Sequence, residues 1–315
     1  MIIGVTGGAG FIGSNLIESL LGQGHKVRVL DDFSTGLRSN ISEFDCDVLE
    51  GSLVDVGTVS RFIDGLHFVY HLGARGSVPR SIADPQQTFQ ANVLGTQNLL
   101  EVIRKESIPL VFSSSSSVYG DNEQLPKEET LMLSPISPYA ASKAAAEHLI
   151  QAYAKSYNLN CQIFRFFNVY GPRQRPNHIY SAVIPKWIWS ALGHKEVNIF
   201  GNGEQIRDFT FVGDVVKVLS HALSYEGIST SPINLALGKP INLNALAATL
   251  QTWFPAMKVT HLPPRKGDVE RSYNSPLKLK AFIPDLAPTP LELGLESTIR
   301  WLKDEFQRTH KSKVI

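Results

Sequence analysis

Tyr139 and Lys143 stand four residues apart in the run Tyr139-Ala140-Ala141-Ser142-Lys143. On a helix that spacing puts the phenol and the ammonium on one face. A tyrosine is a poor base at neutral pH, because its unperturbed pKa is about 10, and bringing it to about 7 requires roughly 4 kcal/mol. One ammonium about 4 Å away supplies about that much at an effective dielectric near 20. The pair is therefore read as a base tuned by its neighbour. Alone, the spacing is common on helix surfaces. A dinucleotide loop and a serine-rich strand end earlier in the chain make it specific.

That loop is Thr6-Gly7-Gly8-Ala9-Gly10-Phe11-Ile12-Gly13, between an apolar run and a helical pattern. Its glycines let the backbone turn tightly and approach a pyrophosphate, whose charge faces the helix N-terminus. Asp31 closes the second apolar run, where a carboxylate accepts hydrogen bonds from adenine-ribose hydroxyls. The same carboxylate repels a 2′-phosphate, and Asp32 adds to the repulsion. NAD is favoured over NADP, although Arg38 lies nearby.

The elements that position these groups alternate short β-branched runs with longer helical patterns, as in a parallel sheet with helices on both faces. Strands are expected at Ile2–Thr6, Lys26–Leu30, Phe68–Leu72, Leu110–Ser114 and Cys161–Phe166. Helices are expected at Phe11–Leu21, Pro85–Glu106 and Tyr139–Tyr157. The fold class is α/β: a Rossmann-type doubly wound parallel sheet with a smaller C-terminal substrate-binding lobe. After Asn168 proline and glycine rise and arginines appear singly among aromatics, the texture of a lobe that closes over a ligand. Residues 1–166 are read as the NAD-binding domain, with 209–234 returning to it through a helix near Asp214–Tyr225. Residues 167–315 are read mainly as the substrate-binding lobe.

Composition excludes other classes. Thirty basic residues against 29 acidic ones disfavour a basic groove for nucleic acid. The apolar stretch at Ala182–Leu192 is broken by Pro185 and Lys186, so no membrane span is expected. The N-terminus enters a strand pattern at once, without a signal peptide. Cys46 and Cys161 lack metal or disulfide spacing, which suits the cytoplasm and gives no metal site.

Together these residues resemble the extended short-chain dehydrogenase/reductase family, and within it the UDP-sugar 4-epimerase branch. The likeness runs through TGGAGFIG at Thr6–Gly13, SVPRS at Ser77–Ser81 and NVLGT at Asn92–Thr96. It continues through SSSSSVYGD at Ser113–Asp121, SPYAASK at Ser137–Lys143 and FFNVYGPRQ at Phe166–Gln174. RDFTFVGDVV at Arg207–Val216 and RKGD at Arg265–Asp268 complete it.

By that resemblance Tyr139 is the proton acceptor, and Lys143 holds the nicotinamide ribose while lowering the phenol's pKa. Ser115 matches the serine that hydrogen-bonds the reacting sugar oxygen, with Ser117 a second candidate; the alternative is a serine run that only satisfies a strand end. The NAD set is Gly7, Gly10, Phe11, Ile12, Gly13, Asp31, Asp32, Ser34, Gly36, Leu53, Leu72, Ala74, Asn92, Ser113, Tyr139, Lys143, Phe166 and Val169. Asn92 also supports the catalytic helix. Ser52 departs from the family, where an aspartate often binds the adenine amine. Gly73, where relatives often have alanine, is a smaller departure.

The substrate set is Ser77, Ser115, Asn168, Arg207, Arg265, Asp268 and Ser272. The two arginines are expected to clamp a diphosphate, and Asp268 to lie near the ribose. The implied reaction inverts C4 of a UDP-hexose through a 4-keto sugar, with no net redox. A 4,6-dehydratase needs a further acid–base pair, but Ser116 and Ser117 occupy the positions of its aspartate and glutamate. A UDP-glucuronate decarboxylase usually has a glutamate in this loop, also missing. A non-catalytic NAD-sensing module is disfavoured because Ser115, Tyr139 and Lys143 are all present. In the branch resembled, the residue at Ser272 walls the sugar's C2 substituent; a serine leaves room for an N-acetyl group, unless the wall is built elsewhere. The helices at Pro85–Glu106 and Tyr139–Tyr157 resemble those that pair across a two-fold axis in homodimers. Ala140, Ala141, Ala144 and Ala145 would allow close approach, or pack only within the monomer.

Overall fold

The computed structural model describes residues 1–176, 182–224, 230–264 and 270–311. Seven parallel strands form the central sheet: β1 (Ile2–Thr6), β2 (Lys26–Asp31), β3 (Asp47–Glu50), β4 (Phe68–His71), β5 (Leu110–Ser115), β6 (Cys161–Phe166) and β7 (Ile233–Leu235). Their order is β7-β6-β5-β4-β1-β2-β3, so the chain winds outward from β1 in both directions. This is the doubly wound arrangement, in which ligands bind beyond the carboxyl ends of the strands where the winding reverses. Thr6, His71, Ser115 and Phe166 all stand at those ends, Thr6 paired in register with His71 and Ser115 with Phe166.

The inner strands are apolar on both faces because helices cover both, whereas the edge strand β3 is mostly exposed. One face packs Ile3 and Val5 against Leu16, Ile17 and Leu20 of α1 (Phe11–Gly22) and beneath Val215 and Leu219. The other buries Val69, Leu110 and Phe112 under Phe62 of α2 (Val56–Ile63), with Leu99, Leu100, Ile103 and Ile150. A third core, around Ile184, Trp187, Ile188, Leu246 and Leu295, holds the smaller lobe together.

The expected helix at Pro85–Glu106 is not continuous. It follows a short α3 (Val78–Ala83) and consists of α4 (Pro85–Phe89), a π turn at Gln90–Leu94 and α5 (Gly95–Glu106). The wider turn carries the buried Asn92, and π bulges of this kind recur where a helix must aim a functional side chain. The second expected helix is α6 (Pro138–Tyr157). Ser137 caps it by accepting the Ala140 N–H at 3.2 Å, and Asn158 ends it at φ 53°. After α7 (Val183–Leu192), the helix expected near Asp214–Tyr225 is α8 (Val212–Ala222); Tyr225 lies outside the described residues. Among the described residues no helix is long and apolar enough to cross a membrane.

Candidate active site

The glycine loop turns directly off β1. Gly7 has φ +68°, and a Cβ there would stand 2.7 Å from the backbone of Gly73; a Cβ on Gly13 would stand 2.4 Å from the Gly7 carbonyl. Both positions need glycine, one for its left-handed backbone and one for close packing. Gly10 caps α1 with no side chain, and no acidic residue stands in the first turn. The helix N-terminus is thus left for an external anion.

The adjoining cleft measures about 470 Å³ and is lined by Gly7, Gly10, Asp31, Asp32, Ser34, Leu53, Leu72 and Ala74. Ser52, Arg75, Gln87 and Gln90 also stand in its walls. Asp31 is buried; one carboxylate oxygen accepts the Ala9 N–H and the other the Phe33 N–H, both at 2.9 Å. It therefore pins the glycine loop, while each oxygen keeps a second lone pair for a ligand. Burial pushes its pKa up. Gly36 passes so close that a Cβ would stand 2.9 Å from Asp31 Oδ1. Asp32 turns to accept from the Ser34 amide and hydroxyl. Arg38 pairs with Glu50 and lies 3.9 Å above the Phe33 ring, so its charge is already engaged. A cradle that excludes Cβ atoms, an uncapped helix end and a carboxylate at the far wall fit a dinucleotide without a 2′-phosphate.

At the end of β5 the serines separate by direction. The Ser113 hydroxyl donates to the His71 carbonyl at 3.2 Å, and Ser114 hydrogen-bonds Glu147. The Ser115 hydroxyl lies near enough to Tyr139 to favour its phenolate, and its Oγ accepts from the Ser117 amide and hydroxyl. The structure thus brings Ser115, not Ser117, to the phenol. One turn along α6, Lys143 is buried, donates to the Ser113 carbonyl at 2.8 Å and lies 4.7 Å from the Phe112 ring centroid. Asn92 accepts the Arg75 N–H at 2.7 Å and donates to Ser142 Oγ at 2.9 Å; that hydroxyl donates to the Tyr139 carbonyl at 2.7 Å.

The electrostatics differ from the expectation that Lys143 brings the phenol down. Burial pushes Tyr139 up, and the Ser115 hydroxyl offsets this only in part. Burial also pushes Lys143 down, to about 7. The reason is that desolvation disfavours the charged form of both groups, and Lys143 spends its ammonium on a carbonyl.

A second cleft of about 270 Å³ opens in the smaller lobe, lined by Asn168, Val169, Tyr170, Trp187, Asn198, Phe200, Arg207 and Phe209. Aromatic walls with one guanidinium suit a flat base joined to an anion. Val169 lines this cleft and not the first. Asn168 adopts φ 34° and donates to the Asp208 carbonyl at 3.2 Å. Ser272 pairs in register with Arg207 and so lies beside it. Ser77 sits at φ 107° and caps α3, a strained backbone of the sort that collects at functional sites. Arg265 and Asp268 lie outside the described residues.

Two features were missed from the sequence. His71 is completely buried between Thr6 and Thr96, each within hydrogen-bonding distance of one ring nitrogen. Glu147 forms a buried two-point ion pair with Arg165. The second left a signal, since Glu147 follows Lys143 by four residues and shares its helix face.

The profile of the NAD dependent epimerase/dehydratase family matches residues 3–236. A putative UDP-glucose 4-epimerase of Methanocaldococcus jannaschii is 34% identical over 309 residues, 95% of this chain and 98% of the relative. A crystal structure of UDP-glucose 4-epimerase with UDP-glucose from Thermotoga maritima superimposes with a TM-score of 0.91 at 33% identity, covering 97% of this chain and 99% of that one. UDP-N-acetylglucosamine 4-epimerase from Methanobrevibacter ruminantium M1, in complex with UDP-N-acetylmuramic acid, gives 0.90 at 33% identity and covers 96% and 98%. Relatives named as UDP-glucuronic acid decarboxylase and dTDP-glucose 4,6-dehydratase match as well.

Proposed function

The chain belongs to the NAD dependent epimerase/dehydratase family, and we propose that it inverts C4 of a UDP-hexose, with Tyr139 as base and acid. The observation that carries this reading is the Ser115 hydroxyl set beside Tyr139, with Lys143 anchored one turn on. Residues 116 and 117, where a dehydratase or decarboxylase needs its carboxylate, are serines.

The first cleft and the start of α1 hold NAD, which when bound supplies a reversible hydride acceptor. Tyr139 takes the proton of the C4 hydroxyl, and Ser115 hydrogen-bonds the same oxygen as the 4-keto sugar forms. Lys143 binds the nicotinamide ribose. After the ketone turns over, Tyr139 returns its proton and the opposite C4 configuration results. Asn168 and Arg207 hold the nucleotide end in the second cleft, with Arg265 and Asp268 assigned to the same ligand by their motif. The test is to incubate the protein with UDP-glucose, UDP-N-acetylglucosamine and UDP-glucuronate separately and identify products by NMR. A C4-inverted sugar is expected; a dehydrated or decarboxylated one overturns the reading.

The sugar preference rests on Ser272. Its place beside Arg207 supports a small wall next to the diphosphate end of the sugar, leaving room for an N-acetyl group. UDP-N-acetylglucosamine and UDP-N-acetylgalactosamine are the expected better pair, with the non-acetylated pair weaker. Ser272→Tyr is expected to lower kcat/KM for the acetylated pair selectively. Acetylated turnover untouched by the tyrosine removes Ser272 as the gate.

A homodimer is the proposed assembly, through α4, α5 and α6. Ala140 and Ala144 are buried within the chain, whereas Ala141 and Ala145 remain partly exposed for a partner. Phe89 and Leu94 are 40% exposed and Tyr157 47%, more apolar surface than these helices need leave in water. Light scattering at micromolar concentration is expected to give about twice the 34.7 kDa chain mass; a monomer rules the dimer out.

A further inference from the structure

Thr6, His71, Thr96 and Asn92 form one buried chain of hydrogen bonds whose direction is fully determined. The Thr96 hydroxyl donates to the Asn92 carbonyl at 2.6 Å, so toward His71 Nε2, 2.9 Å away, it can only accept. Nε2 therefore carries the proton, and Nδ1 of the neutral ring is an acceptor. The Thr6 hydroxyl, 2.7 Å from Nδ1, must donate to it. That leaves a lone pair on Thr6 Oγ1 for the Gly73 N–H at 3.0 Å. Every proton in the chain has one acceptor, and the ring cannot reverse without stranding a buried hydroxyl.

We infer that His71 is a positioning residue that couples the dinucleotide loop to Lys143 and to the helix carrying Tyr139. The inference rests on the functional reading above. From Nδ1 the chain reaches Thr6 and Gly73, whose backbone stands against Gly7. From Nε2 it reaches Thr96 and the π turn, where Asn92 holds Ser142 and Ser142 holds the Tyr139 carbonyl. From its own carbonyl His71 receives the Ser113 hydroxyl, and the Ser113 carbonyl receives Lys143. One residue thus ties together the loop proposed to cradle the cofactor, Lys143 and the helix that carries Tyr139, the Lys143 branch running through its main-chain carbonyl and the other two through its ring.

The ring stays neutral across the working range, because burial first and Lys143 second push its pKa down to about 3. It is neither a proton carrier nor a switch. Its task is to hold three strand ends and one helix turn in a single arrangement, so that misplacement at any of them is felt at the others.

The test compares Thr96→Val, which deletes the bonds to Nε2 and to the Asn92 carbonyl without changing shape, with Thr96→Ser, which keeps the hydroxyl; His71→Phe deletes both ring links. In Thr96→Val and His71→Phe, kcat is expected to fall and the NAD Kd to rise together, each by about tenfold, the scale of a buried hydrogen bond left unmade. KM for the UDP-sugar stays within about twofold, and Thr96→Ser recovers wild-type values. If His71→Phe does not fold, the Thr96 pair decides. A lower melting temperature with wild-type kcat and NAD affinity overturns the inference, as does movement of kcat or affinity alone. A wild-type protein that neither binds NAD nor epimerises overturns the functional reading and this inference with it.

Discussion

Tyr139→Phe is expected to fold, to bind NAD, and to lose turnover by at least about a hundredfold, the low end for removal of a general base. The substitution deletes one oxygen from a half-buried ring whose hydroxyl lies beside Ser115. No core side chain moves and no charged group is stranded, so the loss is confined to the chemical step. The measurement is kcat by NMR on the substrate pair, beside NAD affinity by titration. Affinity within a few-fold of wild type separates a chemical defect from a damaged cleft. Near-normal epimerisation would remove Tyr139 from the mechanism.

The structure also changes how the phenol is understood. Spacing alone suggests a tyrosine activated by one nearby ammonium. In the folded chain the environment opposes both charges: Tyr139 is raised and Lys143 is lowered to about 7. The surviving favourable contact is the Ser115 hydroxyl. Ser115→Ala is therefore expected to act on the same step as Tyr139→Phe, and a double variant to lose little more than Tyr139→Phe alone.

Much of this was legible because it is local. The glycine loop, the strands at Ile2–Thr6 and Cys161–Phe166 and the start of α6 each carry their own chemistry in consecutive residues. What was not legible depends on contacts made at a distance. β3 has only four residues, mostly exposed, without an alternating pattern, and β7 has only three; neither is long enough to show a period. The π turn keeps the helical periodicity around it nearly intact, so the run from Pro85 reads as one helix. His71 looks like a lone histidine at a strand end. Its function depends on the register that sets it beside Thr6 and on Thr96, 25 residues away. Desolvation of Lys143 is equally invisible, since spacing gives a direction on a helix but no dielectric.

The largest effect on stability is expected at the ion pair behind the site. Arg165 meets Glu147 through Nε at 3.0 Å and Nη2 at 2.7 Å, with side chains 4% and 1% exposed. Its remaining nitrogen donates to the Tyr119 hydroxyl at 2.8 Å, which donates in turn to Asn234 at 2.6 Å. The pair thereby fastens α6 to β6 and β7, while Glu147 also holds Ser114, between the two serines of the site. Arg165→Met would leave a buried carboxylate with one hydroxyl partner, and removing one member of such a pair costs about 3–5 kcal/mol. Urea unfolding is the measurement. Glu147→Leu with Arg165→Met removes both charges together, so it should be markedly less destabilised than the sum of its parts. Additive losses, or a single variant costing under about 1 kcal/mol, would show the pair to be no more than surface-like. In the double variant Ser114 loses its acceptor although the fold is restored. A fall in kcat that persists there locates the second consequence of the pair: it orients the end of β5, from which Ser113 holds Lys143 and Ser115 meets Tyr139.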